Sequence, residues 1–186
     1  MPEAADTLNI CSIRCVRAGE GVIILGIDPG LANTGWGVVE RSGPDCRAVA
    51  YGCISTKPDQ PLARRLAVIH SEIQDVIDRY SPSECAIESV FFGTNAKSAF
   101  ATGQARGVAL LATADAALEI AEYSPPQIKS VVVGSGTADK HQIAYMVRTV
   151  LGLDHEPKPD HAADALAAAI THAHLRDGRM LERRGA

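Results

Sequence analysis

Residues 22–28, VIILGID, are apolar without a break until an aspartate closes the run. An unbroken run of this length predicts a strand covered on both faces, not one with a wet side. The turn PGLANTG follows, and residues 35–40 and 46–55 predict two more strands, bounded by Gly43-Pro44 and Lys57-Pro58. Their short connections predict an antiparallel meander. Over 61–80, Leu62, Leu66, Ile69, Ile73, Val76 and Ile77 recur at helical spacing, and Ser81-Pro82 ends that helix. Residues 84–90 predict a fourth strand with Glu88 near its end. FFGTN is then a loop in which Thr94 or Asn95 caps a helix over 96–118, rich in alanine and glycine. Residues 119–123 give a fifth strand. Pro125 and Pro126 open a helix that GSGTADK breaks, residues 141–151 continue helically, and a last helix runs over 159–175.

This order predicts an α/β fold, a mixed five-stranded sheet flanked by helices. The first and fourth strands both end in an acid. If they are neighbours, the two carboxylates converge at one edge of the sheet, where open α/β sheets bind their ligands. Residues 22–176 form the predicted domain, with a loosely ordered extension over 1–21 and a basic tail over 177–186. At 186 residues the chain suits one domain. No apolar run approaches the roughly 18 residues of a membrane span. Arg14 interrupts the one apolar segment near the start, which argues against a signal peptide. A net charge of -4 excludes coating nucleic acid by bulk charge alone, but leaves room for a local basic groove. The five cysteines fit no disulfide framework, and Cys11 and Cys15 have no second pair to complete a zinc site. Reduced thiols in a cytoplasmic protein are the reading that remains.

A carboxylate closing a buried strand is costly unless something compensates it. Asp28 and Glu88 both occupy such positions. The segment KPDHAADALAAAITH adds a helical acid: His161 and Asp164 are i and i+3, Asp160 and Asp164 are i and i+4, and either pair shares a face. Spacing does not choose between His161 and Asp160. Taken singly, each reads as a cap or a surface charge, Asp160 as a first-turn acid favoured by the helix dipole. Together they make a hard, oxygen-rich site suited to Mg²⁺ or Mn²⁺ rather than copper or structural zinc. Such a ligand set can hold two ions about 3.5–4 Å apart, the arrangement that cleaves phosphodiesters, with Asp28 shared between them.

The segments ILGIDPGLANTGWGVV, AIESVFFGTNAKSAFATGQARGVAL, PPQIKSVVVGSGTADKHQIAYMVRTVLGL and DHAADALAAAITH closely resemble the RuvC family of Holliday-junction resolvases, over residues 22–174 and in family order. The resemblance implies the ribonuclease-H-like fold, a homodimer, and Mg²⁺-dependent nicking of two like-polarity strands of a four-way DNA junction. It implies paired symmetric cuts with 5′-phosphate and 3′-hydroxyl ends, in recombination and repair, with RuvA and RuvB as branch-migration partners. Its catalytic and metal-binding carboxylates fall on Asp28, Glu88 and Asp164. Many members carry aspartate where this chain has His161, and others histidine, so His161 is a fourth ligand, a water activator or both. A ligating histidine must be neutral, so cleavage is expected to fall off through about pH 6.5.

Phe91 and Phe92 follow Glu88, where an aromatic can wedge against unstacked bases. By its match to the family pattern Phe91 is the DNA contact, while Phe92 reads as a core anchor. Lys129 and Lys140, with Arg106 as a weaker candidate, match basic positions of the family and would meet phosphates. Ala96, Ala99, Gly103 and Gly107 form a small-residue stripe. Composition alone favours packing it on its own sheet; the family favours a twofold interface, which would present two matching active sites to a symmetric junction. The rival readings are a nucleotide-binding domain of the actin and sugar-kinase type, a relative that binds branched nucleic acid without cutting it, and a ribonuclease-H-like nuclease of another substrate. ATP-binding and junction-cleavage assays separate them.

Overall fold

A computed structural model describes residues 10–12, 21–89 and 96–184, and in it the five predicted strands form one mixed sheet. β1 (Ile10–Ser12) is a sixth, three-residue strand from the segment expected to be loose. It pairs antiparallel along β4 (Asp45–Ser55), whose outer edge otherwise presents unpaired backbone groups. β2 (Val22–Asp28), β3 (Asn33–Ser42) and β4 make the expected meander, and β5 (Glu84–Glu88) and β6 (Glu119–Tyr123) add in parallel beyond β2. The order is β1-β4-β3-β2-β5-β6.

The continuous apolar run of β2 follows from burial on both faces. Ile24 packs into one core; Leu25 and Ile27 pack into the other. On the second side, α1 (Leu62–Tyr80) contributes Ile69, Ile73 and Val76, and α2 (Ala96–Asp115) contributes Ala105, Ala109 and Ala112. The first side is covered by α3 (Pro125–Val133), α4 (Lys140–Leu151) and α5 (Asp160–Arg184). Fully burying side chains such as Ile24, Leu25 and Ile27 stabilises the fold by roughly 1.5–3 kcal/mol each. GSGTADK separates α3 from α4 by known chemistry. Gly134 ends α3 in a left-handed conformation, and Asp139 and Gln142 form a capping box that starts α4.

α5 lies directly on the sheet, and two glycines explain how. A methyl group at Gly26 would overlap the carbonyl of Ala165, and one at Gly35 would overlap that of His161. The alanines of α5, among them Ala162, Ala165 and Ala169, are fully buried against this gap. Three expectations need correction. The last helix continues to Arg184, because Arg176 and Asp177 pair with Glu84 and Arg41 on the sheet. α2 stops at Asp115, short of 118, where Ala117 turns left-handed with φ 55°. The stripe of Gly103 and Gly107 faces open space; the residues packed inward are Ala105, Ala109 and Ala112. Among the described residues no helix is long and apolar enough to cross a membrane.

Candidate active site

β2 and β5 pair in parallel with Ile27 opposite Ile87, so Asp28 and Glu88 leave adjacent strands at the same level. The turn after Asp28 is tied down from outside. Thr56 Oγ1 donates to the Leu31 carbonyl at 2.6 Å, and Arg65 Nε donates to Thr56 Oγ1 at 2.8 Å. Thr34 Oγ1 donates to the Gly30 carbonyl at 2.7 Å within the same turn. The first turn of α5 crosses this edge over Gly35, where only a glycine admits it, and brings His161 and Asp164 down onto Asp28.

Asp28, His161 and Asp164 each offer a ligand atom, all within 4.8 Å of one another; among the described residues this is the one such group. His161 Nδ1 lies 2.7 Å from Asp28 Oδ2. Glu88 adjoins the group closely enough for the charges of Asp28 and Asp164 to act on its carboxyl. Asp160 is exposed and outside the group, so the geometry selects His161 over Asp160.

The charges here are crowded. Burial, then the charges of Asp28 and Asp164, push the Glu88 carboxyl up to about 8, against which the Lys129 ammonium pulls only weakly. Burial and the Asp28 charge push Asp164 up to about 6, with Lys140 and His161 opposing. The Asp28 hydrogen bond raises His161 above its ordinary value despite burial. One carboxyl raised to about 8 and a second raised to about 6 mark a site short of positive charge, and a divalent cation supplies that charge to donors of the right hardness. The residues therefore fit Mg²⁺ or Mn²⁺.

Lys129 on α3 lines a cavity of ≈ 40 Å³ with Glu88, Pro125, Ile128, Ile143 and Asp164. Lys140, exposed at the start of α4, acts electrostatically on His161 and Asp164. Both lysines thus border the cluster. Arg106 does not: its guanidinium pairs with Glu122 on β6. Phe91 and Phe92 lie outside the described residues. Sequence reasoning missed a second polar group of Glu84, His172 and Arg176 at the opposite ends of β5 and α5. The available signal was Glu84 opening an apolar strand in the same alternation as Glu88.

The sequence model of the family described as Crossover junction endodeoxyribonuclease RuvC matches residues 24–172. A curated relative of that name from Desulforamulus reducens is 51% identical over 152 residues, covering 82% of this chain and 93% of its own. One from Chromohalobacter salexigens is 51% identical over 163 residues, covering 88% and 87%. The solved structure of T. thermophilus RuvC in complex with Holliday junction substrate superposes with TM-score 0.80 at 38% identity, covering 84% of this chain and 96% of that one.

Proposed function

The chain belongs to the crossover junction endodeoxyribonuclease family RuvC, and from that premise we propose that it resolves four-way DNA junctions by paired, metal-dependent nicks in two strands of like polarity. The observation that carries the proposal is the convergence of Asp28, His161 and Asp164, with the Glu88 carboxyl beside them raised to about 8 by burial and the charges of Asp28 and Asp164. Asp28, Glu88, His161 and Asp164 would hold the Mg²⁺ ions, two per site, with Mn²⁺ able to substitute. When bound, such ions lower the pKa of water and stabilise the leaving oxygen of a phosphodiester.

The chain's own residues do the rest. Asp28 is the centre of the site, accepting from His161 and placing its charge beside the Glu88 carboxyl. With Nδ1 held by Asp28, His161 presents Nε2 for a ligand bond or for the proton of the attacking water. Lys129 and Lys140 sit where a scissile phosphate would be neutralised, and their contacts position the backbone without reading sequence. Arg106 is a weaker DNA contact because Glu122 already holds it. Phe91 would enter the junction centre as an apolar wedge.

A homodimer supplies the second active site. α2 offers Phe100 (70% exposed) and Leu111 (54%) on either side of the open positions Gly103 and Gly107, a face where a twofold partner helix can approach closely. The protein would act in the cytoplasm, on junctions delivered by RuvA and RuvB. Product ends test this reading. Nicks by the proposed route leave a 5′-phosphate and a 3′-hydroxyl, so DNA ligase alone should seal both nicked duplexes. Products that ligase leaves open would overturn the proposed cleavage chemistry.

A further inference from the structure

The ends of β5 and α5 remote from the cluster hold a buried clasp. Glu84, the first residue of β5, accepts from Arg176 Nε at 3.0 Å and from Arg176 Nη2 at 2.5 Å. Its Oε2 also lies 2.7 Å from His172 Nε2, and His172 Nδ1 lies 2.7 Å from the Tyr123 hydroxyl. With its proton on Nε2, the ring donates to Glu84 and accepts from the tyrosine. The Glu84 and His172 side chains are 9% and 3% exposed, so this geometry is held in a low-dielectric interior. The adjacent Asp177 takes the Arg41 guanidinium at 2.9 and 2.6 Å, a further tie from α5 to β3.

Side chains alternate along a strand, so Glu84 and Glu88 project to one face of β5, the face that α5 covers. β5 runs toward the cluster and α5 runs away from it. From Glu88 back to Glu84 is about 13 Å of strand. From Asp164 on to His172 is about 12 Å of helix. The lengths match, and the two elements close a frame with the catalytic carboxylates at one end and the clasp at the other. Between them, α5 meets the sheet through alanines laid over Gly26 and Gly35 and through Leu166 seated against Gly37. These contacts hold α5 close to the sheet, and the clasp adds directional polar ties at its far end.

We propose that Glu84, His172 and Arg176 are positioning residues: the clasp sets where α5 stops along β5, and so sets the spacing of His161 and Asp164 from Asp28 and Glu88. The inference rests on the metal-site reading above. A shift of one helical residue is about 1.5 Å, enough to spoil a ligand set.

The test is Mn²⁺ binding by the full chain without DNA, followed by the electron paramagnetic resonance of free Mn²⁺, with thermal unfolding alongside. Wild type, Glu84→Gln and Glu84→Ala are compared. Glu84→Ala is expected to weaken Mn²⁺ binding about tenfold, as lost support of metal ligands does. Glu84→Gln keeps an acceptor for His172 and Arg176, and is expected to recover part of that loss. Junction binding in chelator should be unchanged in both. Wild-type Mn²⁺ affinity in both variants, whatever their melting temperatures, would overturn the proposal and leave the clasp a purely stabilising feature. If Glu84→Ala does not fold, Glu84→Gln decides by the same criterion. A wild type that binds no Mn²⁺ would instead sink the metal-site reading, and the clasp's role with it.

Discussion

Glu88 shows at the scale of one residue what gathering acids at the candidate site costs. Its carboxyl is half-buried, and burial and the charges of Asp28 and Asp164 drive it from an ordinary carboxylate value to about 8. The folded value lies above the unfolded one, so in the metal-free protein the ionised form opposes folding. That penalty is absent at low pH, where both states are protonated. It grows as pH rises through the unfolded value, near 4.5, and levels off above about 8. Replacing Glu88 with Gln removes the penalty. In chelator at pH 7.5, Glu88→Gln should melt roughly 3–8 °C above wild type, the shift expected for a gain of one or two kcal/mol in a domain of this size. The same variant should not cleave. Scanning calorimetry in chelator checks the first statement, and a lower melting temperature would show that the crowding is not felt. Asp28, Glu88 and Asp164 were legible in the sequence because their signals are local: two acids closing apolar strands, and one acid at helical spacing from a histidine. The preference for His161 over Asp160 was not legible, since both share a face with Asp164 and only the crossing of α5 over Gly35 separates them.

Among the elements, α5 is the one whose placement decides function. Its alanines approach β2 and β3 at Gly26 and Gly35, and a methyl group at either glycine meets a carbonyl of the helix backbone, which cannot give way as a side chain can. Gly35→Ala should therefore destabilise the fold by about 2–3 kcal/mol through overpacking and reduce cleavage in what remains folded. Urea unfolding measures the first effect, and near-wild-type stability would mean that α5 can lift. The helix itself was legible, but its length was not. Residues 177–186 read as a basic tail, yet the helix runs on to Arg184, with Arg176 and Asp177 partnered on β5 and β3. Glu84 and His172 are 88 residues apart, so no local pattern joins them. Packing of the α2 stripe on its own sheet, the reading composition favours, failed for another reason. Gly103 and Gly107 lie one helical turn apart, and so do Ala105 and Ala109; spacing alone cannot say which pair faces the sheet. Packing chose the alanines, whose methyls fill the core that glycine would leave empty.

For the whole molecule, that outward glycine face becomes the dimer prediction. A charge placed at its centre should part the subunits: Gly103→Glu is expected to weaken dimerisation by at least about 100-fold, the cost of burying an unpaired carboxylate. Sedimentation equilibrium reads this directly, and an unchanged dimer would place the interface elsewhere. The fold at large was legible because it is built from regular signals. Unbroken apolar strands imply cover on both faces and short turns imply the meander, while the neighbouring of the first and fourth predicted strands, on which convergence of their acids depends, comes from the parallel pairing of β2 with β5. Joined to membership of the RuvC family, that frame carries the proposed metal-dependent junction resolvase centred on Asp28. Its most direct test is cleavage of a mobile, labelled four-way junction beside a matched duplex, with Mg²⁺ and with chelator, by wild type and by Asp28→Asn. The account predicts paired symmetric nicks on the junction alone, only with Mg²⁺, and a loss of at least about 10²–10³-fold in Asp28→Asn while junction binding persists. Nicking that survives the chelator, or survives Asp28→Asn, would contradict it.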